Sequence, residues 1–149
     1  MRKKFELTME TEDYFGNTLF RIKALTSFGN VKKGDIGGWI EKEDNLSNDG
    51  NAWVYGNAWV YGNAKVCGNA KVCGAAEVFW ISNIGSRNGT TTFFACKEKT
   101  IKVVCGCFFG TIDEFAAKVE KTHGDNTHGK IYKLAIEMAK EKIKIEAIE

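Results

Sequence analysis

A six-residue period governs the hydrophobic pattern between residues 50 and 79. Each unit starts with glycine, and its third and fifth positions hold alanine and valine. The five units read GNAWVY, GNAWVY, GNAKVC, GNAKVC and GAAEVF. Glycine and asparagine adopt positive φ at the lowest energetic cost, so the Gly-Asn pairs predict corners. The pattern therefore predicts a run of four-residue strands in which the chain turns once in every unit.

Side chains of each predicted strand alternate between two faces. One face carries only alanine and valine, which predicts a narrow interior. It consists of Ala52, Ala58, Ala64, Ala70, Ala76, Val54, Val60, Val66, Val72 and Val78. The other face points outward, and its four large aromatic side chains form what we call the aromatic row: Trp53, Tyr55, Trp59 and Tyr61.

The aromatic row would form a larger apolar patch than a monomer normally leaves exposed. Three explanations are open: another part of the same chain covers it, a second copy or foreign protein covers it, or a ligand stacks on it. Closed contacts between identical subunits are the common solution for such a patch. We therefore predict that the aromatic row is an oligomer or partner interface.

Two alternating segments precede the repeat. Residues 5–8 and 18–25 alternate apolar and polar side chains, and residues 13–17 between them contain a Gly-Asn pair. This pattern predicts an antiparallel hairpin. A hairpin there would cap the end of the repeat, where open strand edges otherwise invite pairing with other chains.

The period breaks after Trp80, and a different pattern follows. Two apolar segments, ending at Phe94 and Cys105, predict a pair of strands. Thr111 and Glu114 form a capping box that predicts the start of a helix. The apolar positions of this helix repeat at helical spacing: Ile112, Phe115, Ala116 and Val119.

Gly124 predicts the end of that helix, and Asn126 or Thr127 can start another. The apolar face of the last helix consists of Ile131, Leu134, Ala135 and Met138. We therefore predict a ββαα domain over residues 81–149, after a hairpin-plus-repeat domain over residues 1–80. The fold class is mainly β with an α+β tail.

The hexads resemble the left-handed parallel β-helix of hexapeptide-repeat proteins, in which three hexads form one triangular coil. The resemblance implies that residues eighteen apart stack. The implied pairs are Val54 on Val72, Val60 on Val78, Trp53 over Lys71 and Trp59 over Glu77. Residues 34–40 and Leu46 would add a degenerate first coil, giving a stub of about three coils, fewer than an independently stable solenoid usually needs.

The chain also resembles proteins of phages and prophages. Residues 4–80, with GDIGGWIE before the Gly-Asn-Ala hexads, resemble phage hexapeptide-repeat proteins, which are often labelled transferases or polymer-forming proteins on fold analogy alone. Residues 85–124 resemble a small uncharacterised module of phage and bacterial proteins. The Gly-Asn-Ala-x-Val motif is specific for fold and not for activity, and the second resemblance supports a separate domain.

Composition and charge exclude several classes of protein. The 149 residues include sixteen glycines and no proline, and the formal net charge is +2. No basic stripe supports non-specific nucleic-acid binding. No apolar run is long enough to span a membrane, and no signal peptide is evident, so we expect a cytoplasmic protein, in the host cell if the gene belongs to a phage.

Five cysteines are an odd number, which disfavours a complete disulfide framework. Cys105 and Cys107 flank Gly106 and would point to one face of a strand. Zinc binding would need further ligands from Cys96, His123 and His128. Small buried cysteines are the simpler interpretation, and we predict neither a metal nor a cofactor.

A polar segment before the second domain's first predicted strand is the best candidate binding site. Gly85 and Gly89 allow backbone N–H groups to converge, and the hydroxyls and guanidinium beside them suit a phosphate. The predicted ligand-binding residues are Ser86, Arg87, Asn88, Thr90, Thr91 and Thr92. The alternative is an ordinary polar connection.

Catalysis is disfavoured, because residues 1–122 contain no histidine and no nucleophile–base order is evident. Histidines beside a helix end, such as His123 and His128, are more often solvated cap partners than catalysts. Three functions remain: an oligomeric phage-type protein that sequesters a nucleotide-derived signal and so counters bacterial immune signalling, a protein-binding inhibitor or scaffold that uses the aromatic row, and a hexapeptide-repeat acyltransferase-like enzyme.

Overall fold

The computed structural model describes residues 3–74, 77–96 and 99–144. The chain divides into two compact units, Met1–Ala75 and Ala76–Glu149. The division therefore falls five residues before the boundary that the sequence suggests. The protein is mainly β, with two helices near its carboxyl end.

Unit 1 begins with the predicted hairpin. Strand β1 (Phe5–Tyr14) pairs antiparallel with β2 (Asn17–Ala24). Phe15 and Gly16 form the connection, with φ of 50° and 86°. Two successive residues with positive φ match the right-handed twist of a hairpin. The prediction of a hairpin is confirmed.

Three very short strands come from the hexads. They are β4 (Trp53–Val54), β5 (Trp59–Val60) and β6 (Lys71–Val72). Strand β3 (Ile36–Ile40) precedes them and pairs with β2 antiparallel and with β5 parallel. The sheets are therefore β1-β2-β3-β5, with four strands, and β4-β6, with two.

A left-handed β-helix is not shown, and these sheets are not those of a solenoid. Two of the implied pairs are present, because Trp53 lies opposite Lys71 and Val54 opposite Val72. The other two implied pairs are not among the ladders of the described residues. Trp59 pairs with Trp39 and Val60 with Ile40, twenty residues away, while Val78 lies opposite Phe94 in another sheet.

The sequence separation between paired residues changes between Leu46 and Val54. The bridge Leu46↔Val66 also joins residues twenty apart, whereas Val54↔Val72 joins residues eighteen apart. Two extra residues therefore lie between Leu46 and Val54. A pure six-residue period cannot accommodate them, and this explains why the degenerate segment before the repeat pairs out of the expected register.

The predicted interior of the hexads is buried where the structure describes it. Its alanines and valines up to Val72 are at most 2% exposed. Ala76 lies outside the described residues. A Cβ at Gly37 or Gly38 would lie 2.6 Å from a backbone carbonyl oxygen, that of Val54 or Ala58 respectively. Only glycine lets β3 approach the hexads this closely.

The described residues of unit 2 form four strands where the sequence predicts two. They are β7 (Val78–Ile84), β8 (Gly89–Ala95), β9 (Ile101–Cys105) and β10 (Phe108–Thr111), joined in the order β10-β9-β8-β7 as an antiparallel sheet. The ββαα prediction missed β7 because its first residues complete the fifth hexad, and it missed β10 because four residues leave little periodic signal.

Two helices complete unit 2. They are α1 (Ile112–Thr122) and α2 (Thr127–Lys142). The predicted capping box is present, because Glu114 N donates to Thr111 Oγ1 at 3.1 Å and Thr111 N to Glu114 Oε1 at 2.8 Å. Apolar side chains of both helices and of one sheet face form a single core that includes Phe93, Val103, Phe115 and Ile136. No helix in the described ranges is long and apolar enough to cross a membrane.

Candidate functional site

The predicted phosphate loop is a tight turn. Strand β7 ends at Ile84, β8 starts at Gly89, and Asn88 N donates to Gly85 O at 3.1 Å. Gly85 and Asn88 have φ of 82° and 52°. Positive φ at both ends lets the chain reverse within four residues, so the polar glycine segment connects β7 directly to β8.

The six predicted ligand-binding residues fall into two groups. Ser86, Arg87 and Asn88 lie exposed at the tip of the turn. Thr90, Thr91 and Thr92 lie in β8, where successive side chains alternate between faces. Thr91 and Thr92 are each only 1% exposed.

The threonines of β8 already have neighbours within unit 2. Thr90 Oγ1 lies 2.8 Å from Ser82 Oγ, and Thr91 Oγ1 donates to Cys105 Sγ at 3.2 Å. A ligand at the tip of the turn therefore meets Ser86, Arg87 and Asn88. The structure does not gather the threonines around the same point.

Tyr132, on α2, is a residue that the sequence analysis missed. A Cβ at position 85 would overlap the Tyr132 hydroxyl, so Gly85 supplies the space that this hydroxyl occupies. The hydroxyl also lies 3.7 Å from Cys105 Sγ. Burial, followed by the hydrogen bond with Cys105, raises the pKa of Tyr132 to about 12. The hydroxyl is therefore neutral at physiological pH.

A cavity of about 100 Å³ lies beside Tyr132. Its floor and walls are mainly aromatic and apolar, and exposed Lys118 and Thr122 mark its mouth. The lining residues are Cys105, Phe108, Phe115, Lys118, Val119, Thr122, His123 and Tyr132. The helical spacing of Phe115 and Val119 predicts an apolar face, but nothing in the sequence shows that the face borders a cavity.

Two histidines lie at the junction of the helices. His123 is the C-cap of α1, half-buried, and its ring stacks on Tyr132 at 5.7 Å between centroids. The His128 ring lies 5.5 Å from that of His123, and within the described part of the chain its buried Nδ1 has no hydrogen-bond partner. His123 therefore stands at a helix end, as expected, and its partly exposed ring also packs on the aromatic side chain of Tyr132.

The geometry of the described residues does not support the zinc-site alternative. Within residues 3–74, 77–96 and 99–144, no group of three histidine, cysteine or acidic side chains could hold a metal ion. Cys105 ends β9, whereas Cys107 lies exposed in the turn that follows. The expectation that they share one strand face is wrong, because Gly106 has φ of 59° and the chain reverses there.

The aromatic row is covered in part by its own chain. Trp53 is 1% exposed and packs edge-on against Phe28 at 5.4 Å, so its predicted exposure is wrong. The ring of Tyr14, at the end of β1, lies 4.6 Å from the ring of Trp59 and 5.4 Å from that of Tyr61, measured between ring centroids. Alternation alone gave no sign that the hairpin would fold back over these rings.

Tyr55, Trp59 and Tyr61 remain half-buried. Burial is the main cause that raises the pKa of Tyr55 and of Tyr61. Phe15 next to Tyr14 is 90% exposed. The apolar surface that stays accessible is thus shifted from Trp53 toward the hairpin tip.

Lys4 is a buried amine that the sequence analysis did not single out. Its side chain is at the core of unit 1, where Nζ donates to Ala52 O at 2.7 Å and lies 4.6 Å from the centre of the Phe28 ring. Burial lowers its pKa to about 8, although Asp49 opposes the shift. A lysine that follows Arg2 and Lys3 in the sequence gives no signal of this environment.

Comparison with known proteins adds one short similarity. No family model matches the chain. A stretch of 40 residues is 45% identical to part of an uncharacterized acetyltransferase, YdcK, of Escherichia coli (strain K12). The stretch covers 26% of this chain and 12% of that protein. It hints at a hexapeptide-repeat protein and leaves the activity of this chain open.

Proposed function

We propose that the protein is a non-enzymatic binding protein that holds a small phosphate-containing ligand at the turn of residues 85–88. The observation that carries the proposal is the exposed tip, where Ser86, Arg87 and Asn88 lie together at the turn of the β7–β8 hairpin. A guanidinium, a hydroxyl and an amide are donors that suit phosphate oxygens. The hairpin fixes their backbone, which lowers the entropic cost of binding.

The ligand class that we propose is a nucleotide-derived signal. Sequestering such a signal in the cytoplasm of a host bacterium would counter immune signalling, as the resemblance to phage proteins suggests. The Gly-Asn-Ala hexads and the short similarity to YdcK favour a hexapeptide-repeat relative. We propose that the hexads wind as a short left-handed β-helical stub, and the parallel pairs eighteen and twenty residues apart support this.

Calorimetric titration with cyclic di- and trinucleotides and with ADP-ribose tests the proposed function. We expect at least one of these ligands to bind, and Arg87→Ala to weaken it at least tenfold, since charge-assisted hydrogen bonds contribute about 1.5–3 kcal/mol. Lys140→Ala is the matched control, because Lys140 is also an exposed cation of unit 2. It lies eight residues beyond Tyr132 on α2, about 12 Å along the helix axis. The proposal fails if no phosphate ligand binds or if both variants bind alike.

A second candidate is a protein-binding or self-association role for the hairpin tip. The observation that favours it is the exposure of Phe15 beside Tyr14, which itself contacts Trp59 and Tyr61. We propose that this aromatic surface is the contact between copies in a homo-oligomer. The third alternative, an acyltransferase-like activity, has the name of the short relative as its support.

A further inference from the structure

Aromatic rings enclose the cavity of unit 2 on several sides. Phe108 and Phe115 lie 5.3 Å apart between ring centroids, and Phe115 meets Tyr132 edge-to-face at 5.5 Å. The His123 ring lies nearly parallel to that of Tyr132. Each of these four side chains therefore has a ring neighbour, so their orientations are fixed before any ligand enters.

Size and polarity limit what the cavity can hold. An apolar cavity of about 150 Å³ holds a benzene molecule. The present volume of about 100 Å³ is smaller, but the exposed side chains of Lys118 and Thr122 show that it opens to solvent. One planar ring can enter edge first and leave its polar substituents at the mouth, beside an ammonium and a hydroxyl.

We infer that this cavity binds one edge of the planar heteroaromatic ring of a small ligand, such as the six-membered ring of a nucleobase or of nicotinamide. Tyr132 joins the cavity to the turn, because its ring lines the cavity and its hydroxyl fills the space beside Gly85. Under the proposed function, the ligand whose ring occupies the cavity is also the one that carries a phosphate to Arg87. The phosphate contact at Arg87 rests on the proposed function, whereas binding of the ring alone does not.

Cys105 provides a reporter inside the cavity. Its thiol is half-buried and lines the cavity, while Cys107 is exposed two residues later. Alkylation by iodoacetamide, followed at each cysteine by mass spectrometry, gives a site-resolved rate for the full chain. Saturating adenine or nicotinamide is expected to slow alkylation of Cys105 at least fivefold and to leave Cys107 unchanged. Equal rates at Cys105 with and without both rings would overturn the inference.

Two variants locate the ring. Val119→Phe places a side chain in the cavity and is expected to abolish protection of Cys105 by either ring. Phe108→Leu is the second variant in case Val119→Phe does not fold, because Phe108 is only half-buried. It removes one wall and is expected to weaken ring binding at least threefold. Unchanged ring binding in the folded variants contradicts the assignment to this cavity.

Arg87→Ala separates the inference from the proposed function. Free adenine or nicotinamide should protect Cys105 equally in this variant, whereas binding of ADP-ribose should weaken. If the free rings protect Cys105 but loss of Arg87 leaves nucleotide binding unchanged, the cavity stands and the phosphate site fails. If ADP-ribose binding depends on Arg87 but no ring protects Cys105, the reverse holds.

Discussion

The contact between Gly85 and Tyr132 shows how one residue of unit 2 constrains another far along the chain. Sequence reasoning selected Gly85 for backbone freedom, and its positive φ of 82° agrees. Its second role, leaving room for a hydroxyl 47 residues later in the chain, depends on how α2 packs on the sheet. No local pattern encodes that distance, which is why Tyr132 and the cavity beside it were missed.

Gly85→Ala is expected to destabilise the protein by about 2 kcal/mol or more, because a residue held at positive φ costs about 1–3 kcal/mol and the new methyl group also meets Tyr132. Urea unfolding measures the change. Gly89→Ala is the control, since an added Cβ there has no neighbour within 4 Å among the residues that the structure describes. Adding Tyr132→Phe should recover part of the loss by removing the hydroxyl. Equal stability of the two alanine variants would contradict this account.

Lys4 makes a pH-dependent contribution to stability. Its pKa is about 8 in the folded protein and 10.5 without the fold, so the folded state releases its proton first as the pH rises. Between these values the unfolded state binds more protons, and the free energy of unfolding therefore increases with pH. Below pH 8 the cost of burying the charge is present in full.

The test compares the protein with Lys4→Met by urea unfolding from pH 7 to pH 10. Methionine retains most of the apolar stem and carries no charge. The stability of the variant relative to the parent protein should be greatest at pH 7 and should fall as the pH rises above 8. The two proteins differ only at position 4, so the difference in stability reports on Lys4 and on its electrostatic partners Asp49 and Cys67. A difference that does not vary with pH would contradict the shift.

At the scale of elements, local signals served the helices better than the strands. The capping box of Thr111 and Glu114 depends on residues three apart, so the start of α1 could be read from the sequence. Strand β7 is different, because Val78 and Phe79 satisfy the hexad period and yet pair with β8. Tertiary packing decides whether these residues pair within the repeat or with β8, and the alternation of apolar and polar side chains is the same in both cases.

Thr111→Ala is expected to destabilise unit 2 by about 1 kcal/mol through loss of the N-cap hydrogen bond. Thr127→Ala is a matched control, because Thr127 is the first residue of α2 and the cap of that helix is Asn126. Its effect should stay within about 0.5 kcal/mol. Thermal or urea unfolding measures both. Similar losses in the two variants would show that the box contributes little.

At the scale of the whole molecule, the predicted hairpin and the two predicted helices are present, whereas the left-handed β-helix predicted from the repeat is not shown. The sequence-based prediction was wrong about how the hexads pair with the segment that precedes them. The two extra residues between Leu46 and Val54 change the pairing distance from twenty to eighteen. The hairpin then contributes Tyr14 to the cover over Trp59, a contact that follows from three-dimensional placement alone.

The oligomeric state is a property of the whole molecule, and it depends on the apolar surface that remains accessible after the hairpin covers part of the aromatic row. With Trp53 buried, the accessible apolar groups of the hairpin are Phe15 at 90% and Met9 at 98% exposure. If the hairpin tip joins copies of the chain, light scattering after size-exclusion chromatography should give a mass above 16.6 kDa. Phe15→Ser should then shift the mass toward the monomer, because the aromatic side chain is lost from the centre of the contact.

The control for this shift is Phe109→Ser, which removes a phenylalanine that is 48% exposed in unit 2. A general loss of surface hydrophobicity would affect the two variants alike, whereas a contact at the hairpin tip responds to Phe15 only. A monomeric mass of the parent protein from micromolar to millimolar concentration would reject self-association. The same surface would then be free for a foreign partner, and Phe15→Ser would become the variant with which to test such binding.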